Sequence, residues 1–426
     1  MTEKIKVYDA IMGSGKTYDA IIRMKKYLDN GEKFIYITPF KTEIKRVMDE
    51  LNSSKVLTPV DIGEEGKYSF SYETNLVDEN GLFDLNAKPK KEALNKRGQF
   101  LKMASNGESI ISTHALFTSL KKTDFTLFSD YILILDEVIN PLQTFTIGAQ
   151  DIELIKKGDL IIVDDESSEV KFINDDYTDE AFKNVKYLCN NSTVYYLDKY
   201  FLVWVFPIEI FIEFKEIQIL TYLFEGSLLS AYFKLHNLQY ILISNECSTD
   251  LTRLKNLLSI YEGAANCYSS YNAFSKSWLK NSSKTKSRRI SNSVSNIFKR
   301  NFKTTSEENA YTTFKDFKHK LAGKGFTKGF ISINARASND YAHKRSMAYL
   351  GNRYFDPQTR SFFAQKGIQL DEDLWALGEL IQWIWRGCIR NKEEMNLFIP
   401  SRRMRGLLCD WLDGKYINRA EDLVQI

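Results

Sequence analysis

Ala10-Ile-Met-Gly-Ser-Gly-Lys-Thr17 is the stretch whose reading decides the fold. It follows a short β-rich run, Ile5 to Tyr8, and precedes a helical pattern from Tyr18 to Leu28. That strand, turn and helix setting is what a phosphate-binding loop requires. The glycines let backbone N–H groups wrap a β-phosphate, Lys16 reaches the β- and γ-phosphates, and Thr17 offers a hydroxyl to Mg2+. Gly13, Ser14, Gly15, Lys16 and Thr17 are therefore the candidate ATP ligands. Ala10 stands where the common pattern has its first glycine, a tolerable change because the turn from Gly13 to Thr17 does most of the holding.

Further along, Tyr131-Ile-Leu-Ile-Leu-Asp-Glu-Val138 is a continuous apolar run closed by two acids. A buried parallel strand whose carboxyl end reaches a site reads this way. Asp136 is expected to hold the water shell of Mg2+, and Glu137 to position and polarise an attacking water. Three more short runs, Phe34 to Thr38, Ser109 to Ser112 and Ile217 to Tyr222, alternate with helical patterns, which predicts a parallel α/β sheet. Leu57 to Glu92 interrupts the alternation as an inserted loop. Gln150 to Phe214 reads as a small inserted subdomain, with strands at Thr193 to Tyr196 and Phe201 to Phe206. A second α/β unit is expected after about Gly226, with strands Tyr240 to Ser244, Gly329 to Asn334 and Asn396 to Ile399. The division is thus 1–227 and 228–426.

Composition narrows the class. The chain has 426 residues, enough for two or three domains, and 58 Lys and Arg against 55 Asp and Glu, so any basic surface must be local. One such segment stands out: Ala264 to Ser306 contains no acid, but carries Lys276, Lys280, Lys284, Lys286, Arg288, Arg289, Lys299, Arg300 and Lys303. So polar and one-signed a stretch predicts a solvated loop, an auxiliary nucleic-acid contact with Tyr268, Tyr271 and Trp278 as rings for base stacking. The five cysteines are widely spaced and the four histidines dispersed, which points to a reduced, cytosolic protein without structural metal. Neither a signal peptide nor a membrane-spanning apolar run is legible.

The order of Ala10 to Thr17, Ile37-Thr-Pro39, Ser112-Thr-His114, Asp136-Glu137-Val-Ile139 and Gln382-Trp-Ile-Trp-Arg386-Gly-Cys-Ile-Arg390 resembles the superfamily-two helicases, especially small phage-type members. The resemblance implies two RecA-like P-loop domains with parallel sheets. It implies that Thr38, Pro39, Thr113 and His114 meet the nucleic-acid backbone from the first domain, and that Asn334 and Arg336 do so from the second. It also implies that Gln382, Arg386 and Arg390 meet the γ-phosphate. At i, i+4 and i+8 these three share one face of a helix, and paired guanidinium groups suit a triphosphate. The loose match Ile219 to Ser227 occupies the place of a coupling motif, with Thr221 or Ser227 as the link. The expected activity is an ATP- and Mg2+-dependent helicase or translocase, a monomeric motor on single-stranded or forked nucleic acid, DNA before RNA, working alone or beside replication or recombination proteins. A terminase-like packaging ATPase is the alternative, and its nuclease would need clustered carboxylates, for which Asp371, Glu372 and Asp373 are the only dense acids. A P-loop switch or small-molecule kinase leaves the Arg386 segment without a task.

Overall fold

A computed structural model of the protein describes residues 4–416 except 62–63, 65, 68–69, 74–89, 179, 199–200, 244–250 and 335–339. The chain separates into two compact units, the first made of Met1–Tyr8, Gly15–Thr221 and Tyr232–Ile243, the second of Asp9–Ser14, Tyr222–Ala231 and Ser244–Ile426. Among the described residues, no helix is long and apolar enough to cross a membrane.

The first unit is built on strands β1 (Ile5–Asp9), β2 (Lys33–Thr38), β3 (Val56–Leu57), β4 (Ser109–Thr113), β5 (Tyr131–Asp136), β6 (Glu216–Thr221) and β7 (Ile241–Ile243). They form one seven-stranded sheet in the order β7-β1-β6-β5-β2-β4-β3. β2 pairs in parallel with β5 and β4, and β5 in parallel with β6. Phe34 to Thr38 and Tyr131 to Leu135 are buried throughout, as continuous apolar strands covered on both faces must be. Helix α1 (Lys16–Asp29) lays Ala20, Ile21 and Met24 on the sheet beside Phe34, Tyr36, Ile132 and Ile134, together with Val47 and Leu51 of α2 (Lys41–Leu51).

Two modules interrupt the succession of sheet strands in this unit. The later one begins earlier than its composition suggests, because Leu142–Thr146 pairs antiparallel with Phe201–Val205, which in turn pairs with Thr193–Asp198. The hairpin Ile161–Val163/Val170–Phe172 and the helices Ala149–Lys157 and Lys183–Asn191 complete this module. It has its own apolar cluster of Ile155, Ile161, Val170, Phe172, Val194 and Leu202. In the earlier insertion Phe70–Glu73 pairs antiparallel with Lys90–Ala93, and its tip lies outside the described residues.

In the second unit β8 (Leu258–Ile260), β9 (Asn309–Thr312), β10 (Ser346–Tyr349) and β11 (Met395–Phe398) form a parallel sheet in the order β8-β11-β10-β9. Alternate residues of these strands feed two cores. Ala310, Met347, Tyr349 and Leu397 face helices α4 (Glu372–Ile384) and α5 (Arg402–Leu412). Tyr311, Ala348 and Phe398 face α3 (Lys284–Asn296).

Three expectations for this half of the chain fail for identifiable reasons. Ile241–Ile243 is the edge strand of the first sheet, paired in parallel with Lys6 to Tyr8, rather than the first strand of the second. Phe330 makes only an isolated bridge to Tyr311, and no strand forms at Gly329 to Asn334. The chain there runs so close to β9 that a Cβ on Gly329 would lie 2.1 Å from the Asn309 carbonyl oxygen. From Lys276 to Phe302 the acid-free segment is mainly helical instead of a loop. Ser275 and Ser283 cap two helix starts by accepting from the amides of Trp278 and Lys286, and α3 buries Ser287, Ile290, Ser291 and Val294 at helical spacing. Trp278 is stacked on Phe274 with ring centres 5.0 Å apart, and Tyr268 meets both rings edge-on, so these two are packing residues.

Arg403 of α5 holds the unit together around a charge. Its side chain is 2% exposed. It donates to Asp373 Oδ1 at 2.7 Å, to Asn352 Oδ1 at 3.0 Å, and to the carbonyls of Arg353 at 2.6 Å and Glu372 at 3.1 Å. Removing one partner of such a network strands the rest, typically at about 3–5 kcal/mol. Arg403→Ala is expected to lower unfolding stability by about that much, and Asp373→Asn by less, because the Asp373 side chain is 48% exposed. Denaturant unfolding of the two variants checks the order; equal losses would contradict it.

Candidate functional site

Because the first sheet is parallel, the carboxyl ends of β1, β2, β4 and β5 lie along one edge, and every candidate residue of this unit follows one of them. After β1 the chain turns through Gly13 at φ 78° and Gly15 at φ 93°, left-handed values that favour glycine, with Ser14 N donating to Ile11 O at 3.3 Å between them. Gly15 is also the N-cap of α1 and has no side chain to cap it. Open space surrounds the position of a Cβ at both glycines. The buried Ser14 hydroxyl has no hydrogen-bond partner among the described residues. Uncapped amides at a helix start, a spare hydroxyl, and Lys16 and Thr17 in the first turn fit a bound phosphate.

Across the same edge, β5 ends at Asp136. Tyr36 of β2 pairs with Ile134, two residues before Asp136, so both side chains rise on one face, and the Tyr36 hydroxyl donates to Asp136 Oδ2 at 2.6 Å. Burial, reinforced by the Glu137 and Glu43 carboxylates, pushes the Asp136 carboxyl up to about 7, against the Tyr36 hydrogen bond and the Lys16 charge. The Tyr36 hydroxyl is itself driven upward, chiefly by burial. Glu137 follows at φ 67°, a value that side-chain-bearing residues seldom adopt, and its amide donates to Leu220 O of β6 at 2.9 Å.

His114 joins the next strand to the acids. Thr113 caps the short helix His114–Phe117 by accepting from Leu116 N, and His114 Nε2 lies 2.9 Å from the Asp136 carbonyl oxygen. A carbonyl only accepts, so Nε2 carries the proton. Thr113 also lines a cleft of about 220 Å³ with Lys41, Thr58, Lys96 and Leu116, where Lys41 and Lys96 both reach Asp61. Thr38, opposite Thr113 in the sheet, is fully buried, so its side chain is not presented to a ligand; Pro39 is half-buried.

In the second unit the expected residues do not share a helical face. α4 stops at Ile384 with Trp385 as its C-cap, leaving Gln382 half-buried in the last turn. Arg386 follows at 5% exposure, and Arg390 stands exposed on the 3-10 turn Cys388–Asn391. Just after the helix end, Gly387 runs against β10, where a Cβ would meet Met347 Sδ at 2.5 Å and the Lys344 carbonyl at 2.9 Å, so no side chain fits there. Asn334 is exposed and accepts from Arg353, while Arg336 lies outside the described residues.

Two contributors escaped the sequence reading. Tyr36 reads as one more apolar strand residue until the pairing register sets it beside Asp136. Asp9, at the end of β1, accepts the amides of Leu223 and Phe224, both at 2.8 Å, within the stretch matched to a coupling motif. There Thr221 is buried, and Ser227 accepts from Ser230 N at 3.1 Å.

Comparison with known proteins gives a relative along the whole chain. The SPbeta prophage-derived protein YonV of Bacillus subtilis (strain 168) is 34% identical over 438 residues, spanning 97% of this chain and all of that one. The chain belongs to the YonV family. Residues 252–412 match the model of the YonV C-terminal Rossmann-like domain, a span that contains all of β8 to β11. Among solved structures, an XPD helicase is similar at TM-score 0.48 and 11% identity, covering 98% of this chain and 95% of that one. Xpd4 of S. tokodaii is similar at TM-score 0.46 and 12% identity, covering 96% and 94%.

The position of Asp136 in this member of the YonV family has a measurable consequence. A carboxyl raised from its ordinary value near 4 stabilises the fold fully below that value, and the contribution is lost as pH rises through about 7. Asp136→Asn keeps an acceptor for Tyr36 and cannot ionise. Without nucleotide it is expected to melt above the wild type at pH 8, with the gap closing toward pH 5; a gap constant across that range would contradict the raised carboxyl.

Proposed function

We propose that the protein is an ATP-driven motor on nucleic acid, a helicase or translocase whose track is single-stranded or forked DNA. The observation that carries this reading is one sheet edge bearing three elements. These are the phosphate-fitting turn before α1, the acids Asp136 and Glu137, and the Thr113–His114 segment hydrogen-bonded to the acid strand. Gly13 to Thr17 bind and orient the triphosphate, Lys16 neutralising its outer charge. Mg2+ supplies charge neutralisation at the transferred phosphate, and Thr17 and Asp136 are the residues that would hold it, Asp136 through water. Tyr36 keeps the Asp136 carboxylate turned toward the edge. Glu137 orients the attacking water, its backbone aimed by the left-handed turn at 137.

The bond from His114 to the Asp136 carbonyl is the feature that favours a motor over a simple phosphate switch. A strand end offered to a nucleic-acid backbone is tied directly to the acid that would hold the metal, so a shift of one moves the other. The packaging-motor alternative is not carried forward. Asp371 caps α4 by accepting from Leu374 N, Glu372 accepts from Phe355 N, and Asp373 pairs with Arg403, so the acids a nuclease would need are employed in folding.

Steady-state hydrolysis of ATP with Mg2+, measured with and without single-stranded DNA or RNA, tests the reading. DNA is expected to stimulate turnover more than RNA does. Lys16→Ala should lose both nucleotide binding and hydrolysis, whereas Glu137→Gln should keep binding and lose turnover by about a hundredfold or more. Hydrolysis indifferent to nucleic acid would leave an ATPase without a track. Equal loss of nucleotide affinity in the two variants would remove the separate roles of Lys16 in binding and Glu137 in water activation.

A further inference from the structure

No acidic residue occurs from Ala264 to Ser306 or from Phe317 to Asn339. The second unit packs these two stretches together: Ser291 Oγ donates to Ala322 O at 2.7 Å and Ser295 Oγ to Lys324 O at 2.9 Å. α3 turns its small and apolar side chains inward, leaving Lys284, Arg288 and Arg289 exposed, with Lys280 before it and Lys299 and Arg300 after it. Among the described residues, none of these six cations has a carboxylate within ion-pairing distance, whereas Lys276 is paired with Asp316 at 3.3 Å. The backbone that carries the array is anchored at its start. Ser283 caps α3, and Lys320 Nζ fixes the preceding turn by donating to the carbonyls of Leu279 at 2.8 Å and Ser282 at 2.7 Å.

We propose that this face grips the phosphate backbone of duplex nucleic acid, without regard to sequence. Six cations without a carboxylate partner among the described residues, over about five turns of chain, are a surface suited to a polyanion. An acidic protein partner would call for an apolar interface core, and among the described residues the one large hydrophobic exposed in the first of these stretches is Tyr271. A membrane-surface helix would expose its apolar side, which α3 buries. Single-strand sites interleave cations with rings for base stacking, but in this unit Trp278 is stacked on Phe274 and covered by Lys286, whose Nζ lies 4.0 Å from the ring centre, and the exposed Tyr271 has the Arg403 guanidinium 5.8 Å from its ring centre. What remains is backbone contact alone. Lys284 and Arg288, one helical turn apart, rise about 6 Å along α3, while a duplex presents a charge about every 1.7 Å of its axis, so phosphates are available to each cation. This grip extends the motor reading by giving the forked substrate's paired arm a separate hold, but it does not depend on ATP hydrolysis.

The test is binding of the full chain to a fluorescent blunt DNA duplex, without nucleotide, over a salt series. Changing Lys280, Lys284, Arg288 and Arg289 together to Gln is expected to flatten the slope of log affinity against log salt by about 3 to 4, and Arg289→Gln alone by about 0.9. The single variant keeps the test valid should the fourfold one fail to fold, which circular dichroism would reveal. Lys157→Gln with Lys171→Gln, in the inserted module, should leave the slope unchanged. An unaltered slope in the α3 variants, an equal flattening in the module variant, or tighter binding of polyglutamate than of duplex would overturn the proposal. If the wild type hydrolyses no ATP while the α3 slopes change as stated, the motor reading fails and this one stands.

Discussion

The Asp136 carboxylate stands half-buried at the end of a central strand, with the Tyr36 hydroxyl donating to it. Such a group is tolerated only where its surroundings are held in place, and the first unit supplies this through sheet register. β2 must sit beside β5 with Tyr36 opposite Ile134, and β4 must sit beside β2 with Thr113 opposite Thr38. A slip of one residue would turn Tyr36 to the opposite face and leave the carboxylate without a donor. The apolar burial of Phe34 to Thr38 and Tyr131 to Leu135 makes that slip costly, so core packing and site geometry are one constraint seen from two sides.

Strain accumulates at this edge. Gly13, Gly15 and Glu137 all have left-handed backbone, and only the two glycines adopt it without penalty. A glutamate held there costs on the order of 1–3 kcal/mol, and it persists because the Leu220 carbonyl anchors its amide. Together with the raised Asp136 carboxyl, this marks the end of β5 as a place where stability is given up for an arrangement of charge.

Much of the fold is legible in the chain. The glycine turn before α1, the five central strands and the position of the acid pair at a strand end are readable because each is a local pattern: glycines before a helix, or apolar residues in continuous runs. The basic segment misleads because its composition resembles a solvated loop, although Ser275 and Ser283 stand before helical stretches and Ser287, Ile290, Ser291 and Val294 have helical spacing. Serine on a buried face carries no hydrophobic signal, so the periodicity is hidden. The arginine segment misleads in the opposite sense. Continuous helical spacing through Arg390 would need the helix to run past Ile384, but it ends there, Gly387 passes closely by Met347 and the Lys344 carbonyl, and Arg390 falls on a separate 3-10 turn.

Sequence by itself determined the class, α/β with two parallel-sheet units, and the glycine turn between β1 and α1, because these depend on residues adjacent in the chain. Tertiary structure alone decided which strand takes the edge beside β1, that Tyr36 and His114 converge on Asp136, that Asp371 to Asp373 serve folding, and that the cations flanking and lining α3 stand exposed on and beside one helix. Each of these brings together groups distant in sequence, and such pairings follow from register and close packing, which no local pattern encodes.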